Sequence, residues 1–280
     1  MSRVGTRGRR PARRQLWCIT RPQLEDTNTL LRVACAEREI AWRAVAPDDA
    51  VAALRPRIGD LLYVAAAEAA ADALAAQLWR AGMVSLQGHG RAPRQPAAEE
   101  LDAAGLRMPR SVCPAPLDAP AMLVAATALG GFPLLLRLPG GEGGRGVMRV
   151  DSPASLVSVR EVLPDNATMV EYVPHEIAWR VYVVCSEAVL AEAWRVAPHD
   201  FRSNVDGTLE PQAPRSSAVE AAAVSACRLL DIGFAGVDVM VDPQGRPWVA
   251  ELNTPCWFAG AQARTGVDIA GRLLDGLTAG

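Results

Sequence analysis

The residues best suited to chemistry lie near the carboxyl end of the chain, in the stretch 234–257. Alternating apolar residues lead into turn-forming residues at 243–246, and a second short run of strand-forming residues follows. We therefore predict a β-hairpin in which Asp242 faces Pro247 across the turn.

This register puts three oxygen-bearing side chains on one face of the hairpin, Asp238, Glu251 and Asn253, with Asp238 opposite Glu251. Opposed residues on neighbouring strands lie about 5 Å apart, so the two carboxylates repel unless a cation lies between them. Oxygen ligands in this number suit Mg²⁺, which keeps some waters and usually shares its shell with substrate phosphates. The pattern predicts a magnesium site, and an ordinary hairpin with a polar outer face is the alternative.

A glycine-rich turn is the second candidate. It joins two predicted strands, 133–138 and 146–150, and contains Gly140, Gly141, Gly143 and Gly144. Glycines let backbone N–H groups turn inward and cradle phosphates, although a flexible hairpin turn has the same composition. Arg137 precedes the turn, and the chain contains no lysine, so any cation that binds phosphate here must be arginine.

A polar loop, 198–214, is the third candidate. Arg202 and Asn204 would lie on one face of an extended segment, and with Arg180 they would supply donors to phosphoryl oxygens. A solvated loop is the alternative.

The strand 168–173 ends in Glu171, Tyr172 and Val173. Its backbone could pair with the edge of an adenine, although nothing in the residues requires this. His199 in the polar loop is a candidate base, with a surface histidine as the alternative.

Composition excludes several classes of protein. The chain has 280 residues, 50% hydrophobic and 21% charged, with a net charge of −2, so we expect no nucleic-acid partner. The six cysteines are scattered without Cys-x-x-Cys spacing, which argues against zinc and disulfides and indicates a cytoplasmic protein. Charges interrupt the most apolar run, 61–78, and we predict no membrane span and no secretion signal.

The alternation of strands and helices predicts the organisation of the chain. We expect a disordered basic tail at 1–14 and an α/β lobe with a mostly parallel sheet at 15–90. A central lobe with the glycine-rich hairpin would follow at 91–168, and a carboxy-terminal lobe with the metal-binding hairpin at 169–280.

The order of these segments resembles the ATP-grasp superfamily, in its RimK-like branch of ribosomal-protein glutamate ligases. The resemblance covers roughly residues 90–275 and is densest from Thr168 onward, through Glu-Tyr-Val, Arg-Val-Tyr-Val-Val, Phe-Arg-Ser-Asn, Gly-Val-Asp, Glu-Leu-Asn and Thr-Gly-Val-Asp-Ile-Ala. It implies an α/β plus α+β fold, in which an N-terminal α/β lobe precedes two α+β lobes that grip ATP.

The resemblance also implies roles for individual residues. It makes Asp238, Glu251 and Asn253 magnesium ligands, and Arg202 and Asn204 an Arg-x-Asn nucleotide element. Glu171, Tyr172 and Val173 would form the adenine hinge. Arg137 and Arg94 would be ATP-binding cations, and Arg180 a catalytic arginine. Arg202 would join Arg180 in catalysis, because both would offset charge on a moving phosphoryl group.

The sequence departs from the family pattern at several positions. Ala178 stands where the family has an acidic residue, so a contact to the nucleotide or metal is either lost or taken over by Glu176. Cys256 replaces a glycine after the metal ligands, and a structural cysteine is the alternative to a nucleophile there. Trp257 and Phe258 follow, either as core residues or as a wall for an apolar group of a substrate.

The implied activity is an ADP-forming ligation of a carboxylate to an amine through an acyl phosphate, with ATP and Mg²⁺ or Mn²⁺ as cofactors. The substrates would be small molecules or peptides, and a homo-oligomer is left open. Two other functions remain: a nucleotide-binding regulator that has lost ligase activity, and a kinase that phosphorylates without ligation.

Overall fold

The protein is described here from a computed structural model, which covers residues 14–88, 96–115, 117–140, 144–202 and 205–279. Three sheets follow one another along the chain, with three, four and five strands. This mixed architecture agrees with the predicted α/β plus α+β fold. The predicted lobe boundaries stay a prediction.

The first sheet is parallel, as predicted. Its strands are β1 (Gln15–Ile19), β2 (Ala41–Val45) and β3 (Leu61–Val64), in the order β2-β1-β3. The apolar residues at 83–86 predict a fourth strand, but this segment makes a single bridge, between Val84 and Leu61.

Three α-helices accompany the first sheet: α1 (Glu25–Glu37), α2 (Val51–Leu54) and α3 (Ala69–Arg80). The residue types of Thr27-Asn28 predict a cap for α1 there, and this prediction is wrong, because a 3-10 turn at Pro22–Leu24 leads directly into Glu25. Asn28 instead accepts a hydrogen bond from the Thr20 hydroxyl, at 2.9 Å.

The second sheet is antiparallel, with the order β4-β7-β5-β6. Its strands are β4 (Ser111–Val112), β5 (Leu134–Arg137), β6 (Val147–Val150) and β7 (Thr168–Glu171). The helices of this region are α4 (Ala98–Ala103), α5 (Ala119–Ala128) and α6 (Pro153–Arg160). Asp118 and Ser152 cap α5 and α6, since their side chains accept hydrogen bonds from first-turn N–H groups.

The third sheet has the order β10-β9-β8-β11-β12 and is also antiparallel. Its strands are β8 (Ile177–Val184), β9 (Glu187–Arg195), β10 (Thr208–Leu209), β11 (Phe234–Val241) and β12 (Pro247–Asn253). The helices are α7 (Ser217–Leu229), α8 (Ala259–Thr265) and α9 (Ile269–Ala279).

The spacing of Ser217 and Glu220 predicts a capping box at the start of α7, and this prediction is wrong by one residue. Ser216, rather than Ser217, caps the helix by accepting from the Val219 N–H. Glu220 is drawn into an ion pair with Arg215, at 2.6 Å, so it does not reach back to the cap.

The two faces of the third sheet are buried against different parts of the chain. On one face Val237, Val239 and Val249 are fully buried under α7. On the other face Phe234 joins Tyr63 of β3 and residues of α9 in a core that links the first and third sheets. The third sheet is therefore fixed from both sides by apolar packing.

No helix among the described residues is long and apolar enough to cross a membrane.

Gly236 tests how tightly this core is packed. A Cβ atom at Gly236 would lie 2.6 Å from the Cys256 sulfur. Because the backbone of Gly236 lies outside the left-handed region, this contact, and not backbone strain, is what disfavours a side chain there. We expect Gly236→Ala to lower the free energy of unfolding by about 1–3 kcal/mol through overpacking. Urea unfolding measures this, and Cys256→Ala in the same chain should restore part of the loss. Full stability of the single variant would show that the core yields freely at this position.

Candidate active site

The β11–β12 hairpin brings Asp238 and Glu251 opposite each other, by a route that the sequence did not reveal. At the tip Val241 pairs with Pro247, so the predicted pairing of Asp242 with Pro247 is wrong by one residue. The carboxylate of Asp242 instead accepts the N–H groups of Gln244 and Arg246 inside the turn. The register then shifts between Asp238 and Val239, in a β-bulge that leaves Ala250 over and aligns Glu251 with Asp238.

A row of charged residues crosses four strands of the third sheet at this level. The register places Glu192, Arg180, Asp238 and Glu251 side by side on β9, β8, β11 and β12. Arg264 of α8 extends the row, because its guanidinium binds both oxygens of the buried Glu192 at 3.0 Å. Positive and negative side chains alternate along the row until the two carboxylates meet at its end.

Arg180 holds Asp238 in a two-pronged ion pair. Its Nε and Nη2 atoms donate to the two carboxylate oxygens of Asp238 at 2.5 and 2.9 Å. The amide nitrogen of Asn253 donates to the same carboxylate at 3.1 Å and to the Gly236 carbonyl oxygen at 3.3 Å. Desolvation lowers the pKa of the Arg180 guanidinium, but the charge and the hydrogen bonds of Asp238, with smaller contributions from Cys256 and Tyr182, together raise it above its usual value, so the pair stays ionised.

Glu251 is the exposed member of the acidic pair. Partial desolvation and the Asp238 charge raise the pKa of its carboxyl, and Arg137 and Arg180 offset part of that rise. Within the described ranges no residue donates a hydrogen bond to this carboxylate. An exposed carboxylate opposite a second one, with the Asn253 amide beside them, fits a divalent cation that keeps some of its waters. No group of three His, Cys, Asp or Glu side chains that could hold a metal occurs in the described part of the chain.

Arg202 joins the polar loop to the glycine-rich turn. Its Nη1 donates to the Gly144 carbonyl oxygen at 2.9 Å, and its Nε and Nη2 donate to the Asp200 carboxylate at 2.9 and 2.7 Å. Gly140 and Gly144 both have φ in the left-handed region, at 73° and 77°, which favours glycine there. Predicted site residues Arg94, Gly141, Gly143 and Asn204 lie outside the described residues.

The predicted hinge lies beside a cavity of about 240 Å³. Its walls include Tyr172 and Val173 on one side, and Asp242 and Trp248 at the hairpin tip on the other. The cavity combines the aromatic side chains of Tyr172 and Trp248 with polar and charged residues such as Gln244 and Arg246, a lining that suits a planar base with polar edges. A larger groove of about 500 Å³, between α7 and the β8–β9 turn, contains none of the predicted site residues.

The hinge side chains are themselves held in place. Arg110 binds the Glu171 carboxylate through Nε at 2.9 Å, and the Glu171 N–H donates to the Arg110 carbonyl oxygen at 2.9 Å, so both of these groups of Glu171 are already engaged. Tyr172 packs edge-on against Phe201, with ring centroids 6.5 Å apart, and the Arg149 guanidinium lies 4.8 Å from its ring centroid.

Glu176, His199 and Cys256 do not take the roles that the sequence left open for them. Glu176 does not replace the acid missing at Ala178, because it is 91% exposed and lies 4.0 Å from Arg195. His199 is exposed and lies 3.7 Å from Asp206. The Cys256 thiol is fully buried, and burial raises its pKa to about 12, which argues against a nucleophile.

Sequence reasoning missed several residues that support the site. Arg110 binds Glu171, and Asp200 binds Arg202. Arg264 binds Glu192, which lies next to Arg180 in the charged row. Only Asp200 gave a local signal, since it lies two residues before Arg202.

The comparisons with known proteins agree with this geometry. Residues 115–277 match the model of the RimK-like ATP-grasp domain. The chain belongs to this family. The resemblance in the sequence is thereby confirmed, and so is the fold that it implied.

Individual relatives show how far the similarity extends. A protein named "Probable alpha-L-glutamate ligase" from Parasynechococcus marenigrum (strain WH8102) is 32% identical over 177 residues, which cover 61% of this chain and 37% of that relative. A second of that name, from Aeromonas salmonicida (strain A449), is 31% identical over 53% of this chain and 52% of its own length. The chain thus spans about half or less of the length of the curated relatives it matches.

Two solved structures share the fold over nearly the whole chain. The ATP-grasp ligase PsnB, complexed with a minimal precursor, has a TM-score of 0.68 and 18% identity, and covers 95% of this chain and 99% of its own. The D-alanine–D-alanine ligase of Bacillus anthracis has a TM-score of 0.70 and 16% identity, and covers 95% and 96%.

The Asp200–Arg202 pair makes this RimK-like domain sensitive to acid. Hydrogen bonds from Arg202 lower the pKa of Asp200 to about 2, below the ~3.9 of an unfolded chain. Because the folded pKa is the lower one, the pair stabilises the fold above about pH 4 and is lost as pH falls through 2. We expect the gap in unfolding free energy between the native chain and Asp200→Asn to shrink over this window. Urea unfolding at several pH values measures it, with the exposed Asp165→Asn as control. A gap independent of pH would contradict the assignment.

Proposed function

We propose that the protein is an ATP- and Mg²⁺-dependent ligase that joins a carboxylate to an amine and releases ADP and phosphate. The observation that carries this proposal is the Asp238–Glu251 pair, which the bulge aligns and Arg180 partly neutralises. A divalent cation bound between these two carboxylates would relieve their repulsion.

The residues around this pair divide into three groups. Asp238, Glu251 and Asn253 would hold Mg²⁺, which would supply positive charge to phosphate oxygens. The glycine-rich turn and Arg137 would hold the phosphates, since Arg137 lies near enough to Glu251 to influence its pKa. The hinge backbone at residues 171–173 would receive the adenine in the adjoining cavity.

Arg180 and Arg202 would serve the chemical step. An oxygen of the substrate carboxylate would attack the terminal phosphorus of ATP, and ADP would leave. The amine nitrogen would then attack the acyl carbon, phosphate would leave, and the amine proton would pass to solvent. Charge moves between oxygens in the first step, and fixed guanidinium groups stabilise such a change without having to reorganise.

The names of similar proteins support this class of reaction. The matched relatives are named glutamate ligases, and one fold neighbour is a ligase that was solved with a precursor. We therefore propose amino acids or peptides as substrates. The residues proposed to bind Mg²⁺ are all present, which argues against a regulator that has lost catalysis.

A screen of acid and amine pairs tests the function. The purified 280-residue chain with Mg²⁺ and ATP should release ADP only when an acid is present, and product should form only when an amine is added. We expect Asp238→Asn to reduce ADP release at least 100-fold, because Arg180 is left without its partner and the metal without a charged ligand. Glu187→Gln, an exposed change at the start of β9, is the matched control and should leave turnover intact.

The outcomes separate the three functions. Acid-dependent ADP release without an amide product would indicate a kinase. ATP binding without any ADP release would indicate a nucleotide-binding regulator. Full turnover in Asp238→Asn would contradict the site as assigned.

A further inference from the structure

The loop after the proposed metal ligands, residues 254–258, lies against the site. The sulfur of Cys256 lies over Gly236, in contact range of the Arg180 side chain. The Tyr63 hydroxyl donates to the Cys256 carbonyl oxygen at 3.2 Å and fixes the loop to the first sheet. The residue after Cys256 must therefore start within a few ångströms of the charged row.

Two aromatic residues follow in this loop, and the structure treats them differently. Phe258 is fully buried, with its ring centroid 5.9 Å from that of Phe234 and 6.5 Å from that of Tyr63. Trp257 is 63% exposed. Core packing, one of the two explanations open from the sequence, thus accounts for Phe258, whereas most of the Trp257 side chain is open to solvent.

The position of Trp257 distinguishes it from other exposed apolar residues. The others belong to α1, α3, α5, α6 and two loops, and include Val33, Ile58, Trp79, Val124, Val157 and Val162. Among these described residues, Trp257 is the one that lies in the loop after the proposed metal ligands, four residues beyond Asn253. A large flat side chain at the edge of a polar site offers apolar contact area that charged neighbours cannot supply.

We propose that Trp257 is a specificity-determining residue that contacts an aromatic or large aliphatic side chain of the substrate. This rests on the proposed function, and it gives the substrate class: an amino acid or peptide whose reacting residue carries an apolar side chain. Glutamate would be disfavoured, because its second carboxylate would lose water against an indole ring without gaining a partner.

A substrate panel with three variants tests the proposal. Single amino acids and dipeptides, apolar and acidic, are compared by ADP release in the native chain, Trp257→Ala, Trp257→Phe and the control Trp79→Ala. We expect a preference for apolar members that falls at least tenfold in Trp257→Ala, survives in Trp257→Phe and is unchanged in Trp79→Ala. The KM for ATP and the melting temperature should stay within twofold and about 2 °C of the native values.

Direct binding makes the test independent of turnover. Saturation-transfer NMR with L-phenylalanine and L-glutamate, in the presence of Mg²⁺ and ADP, should show contact of phenylalanine with the native chain and its loss in Trp257→Ala. An unchanged substrate profile in Trp257→Ala, a native preference for glutamate, or no contact with phenylalanine would each overturn the proposal. Ligase activity with any of these results would leave the proposed function standing, whereas absence of ADP release with binding intact would overturn the function alone.

Discussion

The site depends on one electrostatic constraint, the meeting of Asp238 and Glu251 at the end of the charged row. Two unit charges held at about 5 Å, the Cβ spacing of opposed residues, repel by ~3 kcal/mol at an effective dielectric of about 20, an upper value that solvent around Glu251 reduces. Arg180 neutralises the charge of Asp238 from one side. Glu192 and Arg264 continue the alternation of negative and positive side chains beyond Arg180. The exposed side of the pair is left for a cation.

The cores on either face of the third sheet keep this arrangement in place. Val237 and Val239 are buried beneath α7, so β11 cannot slide by one residue without exposing them. Phe234 and Phe258 tie the opposite face to the first sheet, with Cys256 between them and Arg180. The first sheet therefore supports the site through packing, since it closes one side of the loop that carries Trp257.

The sequence predicted the parts of the site that follow from local patterns. Period-two alternation predicted the hairpin and the facing of Asp238 and Glu251. The composition of the glycine-rich turn predicted the segment that includes Gly144, whose carbonyl oxygen accepts from Arg202. The bulge at Ala250 could not be predicted, because no glycine or proline marks it. The predicted register was wrong by one residue at the tip, and the bulge shifts the register by one residue in compensation, so Asp238 still faces Glu251. The Arg110–Glu171 and Arg264–Glu192 pairs join residues 61 and 72 positions apart, which no local pattern encodes.

The most direct test of this account is the affinity of the site for a divalent cation. Calorimetric titration of Mn²⁺ in the presence of ADP compares the native chain with Asp238→Asn, Glu251→Gln and the double variant. If both carboxylates bind one ion, each single change should weaken binding at least tenfold, and the double change should cost less than the sum of the two. Native affinity in both single variants would contradict the account, because the facing carboxylates would then have no cation between them.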